Sequence, residues 1–185
     1  MNKKIIIALS IVTLILIIGV LSVNKIPNQN KNHNKTPIAF DGKNTSFNIE
    51  GNVVNLVNGV SEMSVAPGSA SKVTTRYFGN ETNGDLNGDG LDDVAFIVTQ
   101  DGGGSGTFYY VVVALKNLDG YKNTNAFLIG DRIAPQTLEI NTSAKELHVN
   151  FVERKPGEPM SAKPSVGATL IPKVTPGGVL EGLMK

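Results

Sequence analysis

The chain contains no cysteine and no tryptophan, and only two histidines in 185 residues. The missing thiols exclude disulfides, thiolate metal sites, a cysteine nucleophile and a lipidated N-terminal cysteine. His33 stands in a polar stretch. His148 stands in an alternating run and reads as a solvent-facing strand residue, so no histidine-rich metal site is available. There is also no strong excess of positive charge: 17 basic against 16 acidic residues leave a formal net charge of +1. That balance is uneven along the chain. Lys3, Lys4, Lys25, Lys31 and Lys35 precede any acidic residue, and the remaining 12 basic and 16 acidic residues give the rest a net charge of −4. A mildly acidic domain lacks the electrostatic footprint needed for nucleic acid. Convincing amphipathic helical periodicity is absent as well.

One long apolar run is present. Ile5 to Val23 carries no charge, and as a helix it would span roughly 28 Å, close to the hydrocarbon thickness of a bilayer. Lys3 and Lys4 ahead of it favour a cytoplasmic N-terminus. The alternative is a cleaved signal peptide, for which the run is long and its exit, Val20-Leu21-Ser22, a poor cleavage site. Either way the remainder is exported. Asn24 to Thr36, rich in asparagine and lysine, has too few apolar side chains to offset chain entropy and reads as a flexible tether.

From about Phe47 the signals are those of strands. Asn58-Gly59 between Val53–Val57 and Val60–Val65 predicts a hairpin, because this pair supplies the positive φ angles of a two-residue turn. Val73, Thr75 and Tyr77 alternate with Lys72, Thr74 and Arg76. Asp93–Thr99 and Thr107–Leu115 are the most apolar stretches, too short to span a membrane, and read as central strands joined across residues 101–106. Residues 126–129, 137–140 and 147–152 are further strand candidates, and 166–174 reads as an edge strand because Pro172 cannot donate to a central ladder. The expected fold is all-β: a single antiparallel sandwich or barrel-like domain behind an N-terminal transmembrane helix. Its parts are a signal-anchor over 1–23, a polar linker over 24–45 and an extracytoplasmic β domain over 46–181.

The strongest chemical signal is Asp85-Leu86-Asn87-Gly88-Asp89-Gly90-Leu91-Asp92-Asp93. Oxygen-bearing side chains recur at positions 1, 3, 5 and 9, with glycine at position 6. Calcium takes about six to eight oxygen ligands, and alternate residues of a tight loop can aim theirs at one centre. The expected metal residues are Asp85, Asn87, Asp89 and Asp93 through side chains and Leu91 through its carbonyl, with Asp92 facing solvent. Phe96 occupies position 12, so the bidentate glutamate of a helix-loop-helix site is missing. Between Glu81 and Asp101 stand six carboxylates and no lysine or arginine, which favours a bridging cation. The alternative is a metal-free turn of Asp, Asn and Gly.

Asp101-Gly102-Gly103-Gly104-Ser105-Gly106 is not a phosphate loop, because no Gly-Lys-Ser/Thr follows. It is not a nucleophile elbow either, because Thr107 replaces the last glycine. It reads as a hairpin loop or a ligand-contacting loop, and no catalytic set stands out. The expectation is therefore a non-enzymatic module.

Several stretches carry a resemblance: GSASKVTTRYFGNE, GDLNGDGLDDVAFIVTQ, GGGSGTFYYVVVAL, GDRIAPQ and ERKPGEPMSAKPSVGA. They resemble a group of uncharacterised, N-terminally anchored proteins of environmental and candidate-phylum bacteria, over roughly residues 48 to 175. The resemblance implies export in a bacterium and no assigned activity. The loop at 85–93 is similar to the calcium loops of FG-GAP repeats of integrin type. There the motif recurs blade after blade; here it occurs once, so a propeller is not implied. The segment from Gly130 to Ala168 has a distant likeness to the C-terminal half of the LppP/LprE envelope lipoproteins, whose lipidated cysteine this chain lacks. The resulting expectation is a tethered, calcium-stabilised module that binds a protein or glycan. An envelope inhibitor or assembly factor is the alternative, and a hydrolase built from distant acids is a third reading. A rigid protruding loop at 101–106 would favour the inhibitor, a broad aromatic patch the adhesive module, and a deep cleft with facing carboxylates the hydrolase.

Overall fold

The structure is a computed structural model that describes residues 38–182. The expected membrane anchor and most of the expected linker lie outside the described residues. Within them the chain is all-β. Its strands are β1 (Ser46–Ile49), β2 (Asn52–Asn55), β3 (Val60–Ser64), β4 (Lys72–Gly84), β5 (Asp93–Asp101), β6 (Phe108–Asn117), β7 (Gly120–Asn123), β8 (Phe127–Asp131), β9 (Ala134–Asn141), β10 (Glu146–Glu153), β11 (Val166–Leu170), β12 (Lys173–Val174) and β13 (Leu180–Glu181). The largest sheet has the order β3-β4-β5-β6-β7, with β8 also on β6; a second has the order β11-β10-β9, and β1–β2 and β12–β13 form two-stranded ribbons. All these pairings are antiparallel.

The large sheet curls into a half-barrel. The bend lies in β4, whose register against β5 shifts between Tyr77 and Gly79 and again between Gly79 and Thr82. Gly79 and Asn80 have φ angles of 107° and 51° there. Such bulges leave residues unpaired and turn a strand sharply. The bend brings β4 to β9, where Asn80 Nδ2 donates to the Gln136 carbonyl at 3.2 Å.

β5 and β6 read as unbroken apolar runs because both of their faces are covered. Ala95, Ile97, Val111 and Val113 pack with Leu138, Leu147, Val149 and Phe151 of the second sheet. Val94, Phe96, Val98, Tyr110, Val112 and Ala114 pack on the other side with Phe47, Ile49, Val54 and Leu56. Full burial of one such side chain contributes about 1.5–3 kcal/mol, so these two strands carry the largest share of the driving force. Phe40 joins the second core, its ring 5.3 Å from Phe96 and 5.2 Å from Tyr121 between centroids. The packed region therefore begins upstream of Ser46, inside the stretch expected to be linker.

Two strand expectations need correction. Asn58-Gly59 does form a tight turn, with φ angles of 53° and 84°, and Val57 and Val60 exchange hydrogen bonds. The flanking strands then part: β2 pairs with β1 and β3 with β4. Burial decides this, since Val54 and Leu56 are needed over Phe96. The expected strand over 166–174 is split into β11 and β12, interrupted at Ile171 and the buried Pro172.

Candidate metal centre

The acidic loop leaves β4 after Gly84 and enters β5 at Asp93. Three of its side chains fold back on the backbone that follows them. Asp85 accepts the Gly88 N–H at 2.6 Å on one oxygen and the Gly90 N–H at 3.0 Å on the other. Asn87 Oδ1 accepts the Asp89 N–H at 2.9 Å, and Asp89 Oδ1 accepts the Leu91 N–H at 2.8 Å. Asn87 Nδ2 also donates to Asp89 Oδ2 at 3.0 Å. Gly88 and Gly90 both have φ near 82°, the left-handed region that glycine enters without a Cβ penalty. Asp85, Asn87 and Asp89 are thus gathered in one turn. Asp92 is exposed, as expected.

Asp93 sits deeper than the others, with no solvent exposure. One of its oxygens accepts the Leu86 N–H at 3.0 Å and the other the Lys116 N–H at 2.9 Å. Leu86 is itself in the core. Asp93 therefore ties both the start of the loop and strand β6 to the start of β5. Desolvation pushes its carboxyl above the usual carboxylate range. The two backbone donors pull the other way, and the charges of Asp89 and Asp85 add to the upward push. At Asp85 desolvation also pushes up, but the N–H groups of Gly90, Gly88 and Asp89 and the charge of Lys145 outweigh it and hold the carboxyl low.

Lys145 is a member of this site that its position in the sequence conceals. It lies in the turn between β9 and β10 with φ of 55°, and its ammonium sits over Gly88 where a Cβ would otherwise stand. The end of β9 and the same turn close on Gly84, where an added Cβ would lie 2.7 Å from Ile140 Cγ2 and 3.0 Å from Thr142 Cγ2. The acidic loop is thereby held from two sides, by β6 through Asp93 and by the β9–β10 turn.

The donor set is hard oxygen and suits calcium chemistry in kind. Asp85, Asn87 and Asp89 fit it; each has lone pairs beyond those given to the backbone. Among the described residues no three His, Asp or Glu side chains stand close enough together to hold a metal, so an ion would have to draw the loop tighter. Both Asp93 oxygens already accept a backbone N–H, so Asp93 would share its oxygens with the ion. Leu91 is half-buried at the far end of the loop.

Elsewhere, an open hollow of about 370 Å³ is lined by Glu139, Ile140, Asn141, Thr142 and His148. His148 Nε2 lies 3.2 Å from Glu146 Oε2, whose other oxygen lies 3.6 Å from Lys173 Nζ. A second cavity of about 290 Å³ is lined by Leu128, Ile129, Phe151, Glu153 and residues 167–170. The glycine loop is exposed over residues 102–105, and Gly103 donates to Asp101 Oδ1 at 2.8 Å. Phe78 and Phe108 are exposed to 45% and 38%. They do not form one platform: Phe78 stacks edge-on with Tyr109, 5.5 Å between centroids, and Phe108, next to Tyr109 on the strand, belongs to the opposite face. Comparison of the chain with family models, with curated proteins and with solved structures gave no match.

Proposed function

We propose that this chain is a membrane-tethered extracytoplasmic module, stabilised by calcium at the 85–93 loop, that binds a partner through its β domain. The observation that carries this reading is the gathering of Asp85, Asn87 and Asp89 by their own backbone N–H groups into one acidic turn. The N–H groups of the turn and the Lys145 ammonium hold the Asp85 carboxyl low, so that it offers an ionised oxygen ligand to a cation. Tethering and export rest on the apolar run Ile5 to Val23 behind Lys3 and Lys4.

The test is thermal unfolding of the full chain with calcium, with magnesium and with chelator. A ligand bound only by the folded state stabilises it by about 2.7 kcal/mol at a hundredfold excess over its dissociation constant. Calcium should raise the melting temperature and chelator lower it. Magnesium should help less, because it dehydrates reluctantly. Asp89→Ala should abolish the calcium dependence and Asp92→Ala should keep it. Equal responses of the two variants would refute the assignment.

A further inference from the structure

The half-barrel has a seam. On one side the large sheet reaches the second sheet through β4 and β9, bridged by Asn80 and Gln136. On the other side, among the described residues, β8 pairs only with β6 and β11 only with β10, and no backbone hydrogen bond joins β8 to β11. Among the described residues both strands therefore present one edge of peptide groups without a strand partner, the β8 edge being capped at its end where Arg154 donates to the Asp131 and Arg132 carbonyls at 3.1 Å, and between them lies the cavity of about 290 Å³ lined by Leu128, Ile129, Phe151, Glu153 and residues 167–170.

Exposed strand edges are normally blunted by lysine, proline, bulges or covering segments. β11 has none of these within Val166–Leu170: it is Val-Gly-Ala-Thr-Leu, in unbroken register with β10. Ala168 and Leu170 pack against the core while Gly167 and Thr169 are exposed, so an added strand would meet apolar lining at alternate positions. Charge marks the two ends. Lys163 precedes β11; Lys173 follows it, 3.6 Å from Glu146 Oε1; within the strand there is no charge, and Glu153 of β10, opposite Val166, is the carboxylate of the cavity lining. A second copy pairing antiparallel about Ala168 would set Lys163 of one copy opposite Lys173 of the other, which disfavours self-association. An incoming strand with a terminal carboxylate would meet Lys163 instead.

We propose that the seam between β8 and β11 is a strand-acceptor groove for an extended segment of a partner protein, with small apolar side chains at alternate positions and an acidic end. The added backbone supplies the missing ladder hydrogen bonds, and the cavity selects the alternate side chains. This deepens the binding-module reading by naming its partner class, and it does not depend on the metal loop.

The test is amide hydrogen exchange of the full chain in detergent, with a blocked octapeptide of alternating threonine and valine ending in aspartate. Exchange is read with calcium and with chelator, so that a failure of the metal reading and a failure of the groove are seen separately. Peptide should slow exchange severalfold in residues 127–131 and 166–170. Gly167→Lys should abolish the slowing; a Cβ at Gly167 meets nothing within 4 Å, so the variant retains its fold, checked by unchanged protection of β5 and β6. Lys163→Glu should weaken binding about threefold, the size expected of an exposed ion pair, and should favour a peptide ending in lysine. No slowing at millimolar peptide, slowing confined to other strands, or protection of β11 that grows with protein concentration in the absence of peptide would each overturn the proposal.

Discussion

Asp93 separates structural from ligand chemistry within a single motif. In spacing it resembles the last ligand of a calcium loop, yet in the fold it is the buried acceptor for the Leu86 and Lys116 N–H groups. Asp93→Ala leaves two donors without a partner, each costing about 1–3 kcal/mol, and urea unfolding should show a loss of about 2–6 kcal/mol even with chelator present. Its folded pKa is raised, so the favourable contribution of its protonated form is full below the unfolded value and is lost as pH rises through the folded value. The destabilisation caused by Asp93→Ala should accordingly be larger near pH 4 than at pH 7, measured by denaturant midpoints at the two pH values. Asp85 has the opposite sign: its folded pKa is lowered, so its contribution is present above the unfolded value and fades as pH falls through the folded one. Lys145 is the third charged partner. Lys145→Met removes the ammonium over Gly88 and should tighten calcium binding about threefold, the scale of an exposed charge pair. Calcium binding unchanged or weakened in this variant would show that the lysine does not compete with the ion. The oxygen spacing of the loop was legible because it is local. The lysine was not, because it reaches Gly88 from the β9–β10 turn, far along the chain.

At the scale of elements, β5 and β6 were the most legible parts of the chain. Their near-continuous Val, Ile, Phe and Tyr content reflects burial on both faces. β1 was hidden, because Ser46–Ile49 is short and carries Asn48 between its two buried side chains. The turn at Asn58-Gly59 was read correctly from two residues, but which strands continue from it depends on the core over Phe96, and no local pattern encodes that. β4 was expected as a simple alternating strand. Its bulges at Gly79 and Asn80 make it the corner of the half-barrel. That corner ends at Gly84, pressed against Ile140 and Thr142. Gly84→Ala should force these side chains apart at a cost of about 1–3 kcal/mol and loosen the acidic loop that follows. Denaturant unfolding gives the first effect, and faster amide exchange at residues 85–93 gives the second. A neutral Gly84→Ala would mean that the junction does not hold the loop.

Among the described residues two cores share one pair of strands, and this arrangement should make them a single cooperative unit. Phe96→Ala on one face and Val113→Ala on the other each remove side chains fully buried against β5 or β6. Phe96→Ala should cost about 3–5 kcal/mol, and in both variants fluorescence, circular dichroism and calorimetry should report one shifted transition. Two separated transitions would mean that the cores melt independently. The acidic loop sits where these strands begin and is tied to β6 through Asp93, so an ion bound there would act on the same cooperative unit. Calorimetric titration of the full chain with calcium tests this account most directly. It predicts one site, with an affinity on the order of 10⁻⁴ M suited to the proposed export, lost in Asp89→Ala and retained in Asp92→Ala. Absence of heat, together with an unchanged melting temperature at millimolar calcium, would contradict it and leave the loop as a metal-free acidic turn.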